Sequence, residues 1–271
     1  MTVPMISDAS GPILDLHGIE IGYGSAPSVL KGVDLTVRRG EFVTVIGPSG
    51  CGKSTILNVV AGLMRVRSGR VLFDGNPVSG INRAVGYMTQ GDTLLPWRNV
   101  YENVALPLRM QKVPRVAIRP KVESMLELLD LDGAAHKFPS QLSGGMKRRA
   151  LLGRSMIYDP AMLLMDEPLA ALDAQLRAQM HQELLRTVHR LNQTVLFVTH
   201  DIFEAVLLSD RVIVLGGSPA CPVASFDIPF GADRDLATLR FDTRFVELER
   251  RVHEALNAAR SQPHVTPVRS S

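Results

Sequence analysis

Three observations predict an α/β fold, a mostly parallel sheet flanked by helices. Short apolar runs at Phe42–Ile46, Ala161–Met165, Thr194–Val198 and Val212–Leu215 alternate with helical segments, and that alternation builds a parallel sheet covered on both sides. The first run is apolar on both faces, as a buried parallel strand is, and passes through a glycine-rich turn directly into a helix (KSTILNVVAGLM). The rest of the pattern adds an N-terminal antiparallel β subdomain and a helical insertion to this core.

Taken in order, residues 13–38 read as two strands, ILDLHGIEIGY and VLKGVDLTV, around the turn GSAPS. RVLFD and AVGYM read as two more short strands, with a turn at Asp74-Gly75. From about Gly91 to Leu142 the pattern is helical, punctuated by Pro96, Pro107, Pro114, Pro120 and Pro139, and KVESMLELLDL repeats its apolar residues at helical spacing. Near the end, Phe245, Leu248, Val252 and Leu256 share one face of a helix over 243–259. The expected organisation is a flexible 1–12, a catalytic domain over 13–220 with its insertion at about 91–158, and a short extension over 221–271 with one amphipathic helix and a frayed end.

Composition narrows the class. Apolar residues at 45% and charged residues at 21% are the balance of a soluble globular chain. The apolar stretches fall well short of the roughly 20 residues needed to cross a bilayer, and the N-terminus lacks the pattern of a secretory signal. A cytosolic chain is expected, with membrane contact only through another protein. A net charge of +3, scattered and without interleaved aromatics, gives no case for nucleic acid. Cys51 and Cys221 form no CxxC pair, and the seven histidines show no metal-binding spacing, so no zinc site is expected, and the compartment reads as reducing.

The chemistry is concentrated in three motifs. Gly47, Pro48, Ser49, Gly50, Cys51, Gly52, Lys53 and Ser54 fit the phosphate-loop pattern G-x4-G-K-[ST], between a strand and a helix as it requires. Glycines let backbone N–H groups turn toward phosphate oxygens, and the helix N-terminus adds positive dipole. Lys53 is expected on the β- and γ-phosphates and Ser54 on Mg²⁺, with Thr55 completing the ATP-binding set. Next, the run Ala161–Met165 ends in Asp166 and Glu167, two acids at the end of a buried strand beside that loop. Asp166 is expected to support Mg²⁺ through water and Glu167 to act as general base on the attacking water. Then Leu142, Ser143, Gly144, Gly145 and Met146 open a helix with two glycines, a second element able to bind an anion.

With these three motifs in this order, the sequence resembles the ABC ATPases, a P-loop NTPase type whose signature usually reads LSGGQ. The resemblance covers about residues 13–217. It implies that the signature closes over the ATP of a partner chain, so that two copies sandwich two ATPs. It also implies that Tyr23 stacks on adenine, that Gln90 reaches Mg²⁺ and the water, that Ala171-Leu172-Asp173 crosses the dimer interface, and that His200 contacts the γ-phosphate. Met146 departs from the usual glutamine, and Arg148 stands where the family often has another.

LSGGM, the run Asp92-Thr-Leu-Leu-Pro-Trp97 after Gln90, and the short tail resemble the nitrate, sulfonate and taurine importer ATPases. The implied function is ATP-driven uptake of a small solute through separate membrane-spanning permease subunits, with a solute-binding protein as indirect partner. The implied location is the cytoplasmic face of the membrane. The rival reading is a non-transport ABC ATPase in cell-envelope remodelling. Tandem-cassette translation factors and coiled-coil DNA-maintenance proteins do not fit the single uninterrupted cassette, and a kinase or GTPase has no need of LSGGM.

Overall fold

The computed structural model describes residues 11–170, 172–231, 234 and 236–261. The expected flexible start falls almost wholly outside this range, and so does all of the expected frayed end after Ser261.

Strands β1 (Leu14–Gly22) and β2 (Ser28–Val37) form an antiparallel hairpin, as the alternating apolar pattern predicts. Strand β3 (Phe42–Ile46) is buried along its whole length. Helix α1 (Lys53–Val60) follows and is shorter than its apolar run suggests. It stops because Gly62 turns left-handed (φ 69°) in contact with the backbone of Gly80, where no Cβ would fit. Strand β4 (Ser68–Phe73), the two-residue β5 (Asn76–Pro77) and β6 (Val85–Met88) complete the first half.

The middle segment holds α2 (Val100–Met110), α3 (Arg115–Leu128) and α4 (Gly144–Met156). A capping box of Asn99 and Glu102 starts α2. Fully buried Asn103 accepts from Leu95 N–H and donates to the carbonyls of Leu95, Arg98 and Asn99, which fixes the loop before α2. Not every proline there is punctuation. Pro107 and Pro120 lie inside α2 and α3, each at the loss of one helix hydrogen bond.

The second half runs through β7 (Met162–Asp166), α5 (Ala174–Arg190), β8 (Thr194–Val198), α6 (Ile202–Leu208), β9 (Arg211–Gly217), β10 (Ala220–Asp227), α7 (Leu236–Leu239) and α8 (Thr243–Ser261). The strands form one sheet in the order β5-β4-β1-β2-β10-β9-β3-β8-β7-β6. Pairing is parallel from β9 through β3, β8 and β7 to β6 and antiparallel on the β1–β2–β4 side.

Strand β10 corrects the expected boundary at residue 220. It pairs antiparallel with β9 and touches β2 at Leu30, so the chain after Cys221 begins as part of the sheet. Pro222 hid the strand: proline is rare in strands, and here it adjoins a bulge between Pro222 and Ala224. Helix α8 belongs to the core as well. Phe245 is buried against Phe203 of α6 and Phe230, with ring centroids 5.5 and 6.0 Å away.

Candidate nucleotide site

The parallel strands β3, β8, β7 and β6 deliver their C-terminal ends to one edge of the sheet, the place where open α/β sheets hold ligands. The loop Gly47–Gly52 leaves β3, Asp166 ends β7, His200 lies just past β8 and Gln90 just past β6. Gly50 (φ 78°) and Gly52 (φ 99°) take left-handed conformations in the loop. A Cβ on Gly52 would also run into Val29 and Leu30 of β2, so the hairpin presses on the loop from behind.

Within the loop, Lys53 is buried and its Nζ donates to the carbonyls of Gly47 and Pro48, 3.0 Å each. Its charge therefore sits inside the turn. Ser54 Oγ donates to Asp166 Oδ1 at 2.9 Å, which links α1 to the end of β7. Burial raises the Asp166 carboxyl above its ordinary range; Glu167 adds to this, while Ser54 and Lys53 pull the other way. Tyr23 exposes its ring, at 56% of its surface, and its hydroxyl lies 3.0 Å from Thr55 Oγ1. Cys51 is half-buried and burial raises its thiol pKa, which makes it a poor nucleophile.

Glu167 joins the two flanking strands' residues. It adopts a left-handed φ of 44°, and its N–H donates to Val198 O at 2.9 Å. Its Oε2 receives Gln90 Nε2 at 3.4 Å and lies 3.0 Å from His200 Nδ1. Both partners use the same oxygen, and among the described residues none bonds Oε1.

Leu142–Met146 and Asp173 make contacts of a different kind. Ser143 caps α4 by accepting from Met146 N–H, and Asp173 caps α5 by accepting from Leu176 N–H. Gly144 is exposed, while buried Gly145 packs so closely on Leu176 of α5 that a Cβ would approach it to 2.7 Å. The signature turn and the turn at Asp173 are thereby packed together. Ala171 lies outside the described residues.

Behind His200 stands a buried network that motif reading missed. Glu204 Oε2 accepts from Thr199 Oγ1 at 2.7 Å, and its Oε1 lies 3.2 Å from His181 Nε2. Arg177 lies 4.0 Å from Glu204 Oε1 and donates to Leu172 O at 2.8 Å. The network thus ties the turn before Asp173 to the turn before His200. One signal was available, an acid in the otherwise apolar run Ile202–Leu208. Burial pushes the Glu204 carboxyl up, but the His181 and Thr199 bonds, with the His181 and Arg177 charges, outweigh it and hold the group below its ordinary value.

The donors fit ATP with Mg²⁺. The hydroxyl of Ser54 and the carboxylate of Asp166 are hard oxygen ligands, and Mg²⁺ takes few of these from protein and the rest from phosphate and water. Among the described residues, no group of three or more His, Cys, Asp or Glu side chains is arranged to hold a metal by itself.

Fold and site together define a phosphate-loop nucleoside triphosphatase. The family model described as ABC transporter matches residues 30–170. The chain belongs to the ABC transporter family and carries its ATPase fold. The spermidine/putrescine import ATP-binding proteins of Haemophilus influenzae and Escherichia coli K12 are each 42% identical over 207 residues, 75% of this chain and 55% and 54% of their own lengths. The chain thus spans about half the length of these curated relatives. Among solved structures, cbiO1 from Clostridium perfringens, part of the ABC transporter complex cbiONQ, matches with a TM-score of 0.75 and 25% identity over 92% of this chain and 99% of its own. The dimeric cassette MJ0796 in a post-hydrolysis state bound to ADP and Pi matches with a TM-score of 0.68 and 28% identity over 79% and 98%. These relatives are named for spermidine and putrescine import, not for nitrate, sulfonate or taurine.

The Glu204 network yields a stability prediction. Its folded carboxyl is depressed, so its contribution is complete above the unfolded value, about 4.3, and fades as pH falls through the lower folded value. Glu204→Gln is expected to cost about 1.5–3 kcal/mol at neutral pH, with the difference shrinking in acid. Urea titrations of both proteins across that range measure it, and a pH-independent difference would contradict an ionised Glu204.

Proposed function

We propose that the chain is the ATP-hydrolysing subunit of an importer, working as a pair of copies at the cytoplasmic face of a membrane. The observation that carries the reading is the convergence of Gln90, Glu167 and His200 beside the Lys53–Ser54–Asp166 group. Backbone N–H groups of the loop from Gly47 to Thr55, including Ser49 and Gly50, and the Lys53 ammonium bind the phosphates. Tyr23 stacks on the base. Ser54, and Asp166 through water, would hold Mg²⁺, with Gln90 reaching toward it, and the bound ion would supply positive charge against the phosphate oxygens.

Glu167 takes the proton of the attacking water on Oε1, while Gln90 and His200 orient the carboxylate through Oε2. His200, its side chain 60% exposed, is free to meet the γ-phosphate. The turn Leu142–Met146 faces the ATP of the second copy: its glycine N–H groups open a helix and its caps are local, so it is built to receive an anion from outside. Asp173 lies on the same face because α4 and α5 pack through Gly145.

Transport is assigned to separate membrane subunits. No helix among the described residues is long and apolar enough to cross a membrane. A cavity of about 590 Å³ opens between the sheet edge and α2, lined by Leu63, Ile81, Leu106, Pro107, Met110 and Tyr158. Leu63, Ile81 and Met110 are largely exposed, as is Trp97 on the loop after Gln90. A short helix of a permease subunit suits such a groove. Leu94, three residues before Trp97, does not share that surface but is buried in the chain's own core. A solute-binding protein would act through the permease. A polyamine solute is supported by the relatives' names alone.

Glu167→Gln is expected to leave ATP binding near normal and to slow hydrolysis by about 10²–10⁴-fold. It should also accumulate an ATP-bound dimer. Steady-state turnover and size-exclusion with ATP check this; wild-type turnover removes Glu167 from its role. Trp97→Ala separates docking from packing. With the ring at 70% exposure, the variant is expected to melt as the wild type and hydrolyse ATP, yet to lose co-purification with its membrane subunit and solute uptake. A lowered melting temperature with intact assembly would sink the docking role.

A further inference from the structure

Helix α4 starts at the signature turn and grips the segment that leaves Gln90. Lys147 Nζ lies 3.2 Å from Asp92 Oδ2. Arg148 Nη2 donates to Gln90 O at 2.9 Å. Arg154 donates to Thr93 O at 2.7 Å and to Thr93 Oγ1 at 2.6 Å. The Lys147 pair is partly exposed and holds weakly. Arg148 differs, being 6% exposed with its Nη1 buried and unpartnered.

A desolvated guanidinium with an unused donor is costly to keep. Burial lowers its pKa, which the Asp92 charge only partly opposes. A shorter neutral side chain would fill the position more cheaply. What the longer side chain gains is one bond to the peptide that carries the Gln90 side chain toward Glu167. That contact, at 3.4 Å, is at the limit of hydrogen bonding, so a small shift of the Gln90 backbone breaks it.

We propose that Arg148 is a positioning residue for hydrolysis: it fixes the Gln90 backbone to the helix that carries the signature turn. Arg148 lies five residues after Ser143, roughly 7.5 Å along the helix. Gln90 at one ATP and the signature turn at the other therefore move as one body. The inference rests on the proposed role of Gln90, and the following experiment separates the two.

Steady-state hydrolysis is measured for the wild type, Arg148→Ala, Gln90→Ala and the double variant, with a thermal melt of each. Arg148→Ala is expected to lower kcat roughly tenfold, the worth of one hydrogen bond to a charged group, with KM for ATP little changed. In the Gln90→Ala background it should lower kcat no further, because the side chain it positions is gone. Arg148→Lys, which keeps a cationic donor, should recover much of the loss. Should Arg148→Ala fail to fold, Arg148→Gln serves in the same cycle with the same expected loss. Wild-type kcat in the Arg148 variant, or losses that multiply in the double variant, would overturn the proposal. Wild-type kcat in Gln90→Ala would instead overturn the role assigned to Gln90.

Discussion

The site depends on the parallel pairing of β7 with β8, which continues one residue beyond the strands. Met162 to Asp166 run in register with Thr194 to Val198, and the Glu167 N–H then reaches back to Val198 O. That bond holds Glu167 in its left-handed turn, a conformation costly for a residue with a Cβ and one that persists only where the surroundings enforce it. It aims the carboxylate sideways, toward His200 after β8 and Gln90 after β6. With β3 on the other side of β8, the same register sets the phosphate loop beside Asp166.

The sheet separates two cores, and this division explains which parts are coupled. One face packs Phe42, Ile46 and Phe197 against α2, α4, α6 and α8. The other face packs the β1–β2 hairpin, β4 and α1 around Val43, Val45 and Leu57. The phosphate loop belongs to the second core, where β2 supports Gly52. Gln90 and the signature turn belong to the first, through α4. A nucleotide held at the strand ends, as proposed, would lie beside both cores, next to the Ser54–Asp166 and Gln90–Glu167 bonds.

How much was readable from sequence follows from how local each signal is. The phosphate loop, Asp166-Glu167 and the Leu142–Met146 turn each carry their chemistry in consecutive residues, so their elements could be placed directly. Tyr23, Gln90 and His200 were legible only through resemblance to a family, since a lone tyrosine or histidine after a strand carries no chemical signal of its own. Strand β10 was hidden by Pro222, and the end of α1 by a backbone clash at Gly62 that depends on Gly80. The Arg177–His181–Glu204 network and the Arg148 bond to Gln90 include three links between residues 23 or more positions apart: His181–Glu204, Arg177–Glu204 and Arg148–Gln90. Periodicity records that such positions face inward, but not which polar group each one meets.

In the proposed function one ATP site is built from two copies of the chain. Mixing a Ser143→Arg chain with a Lys53→Ala chain tests it most directly, by ATP hydrolysis of the mixture against each variant alone. If the signature serves the partner's ATP, the hybrid holds one intact site and one doubly damaged site, and activity returns on mixing. If the signature serves the ATP of its own chain, both sites of every hybrid stay damaged, and a mixture as inactive as its components would contradict the account.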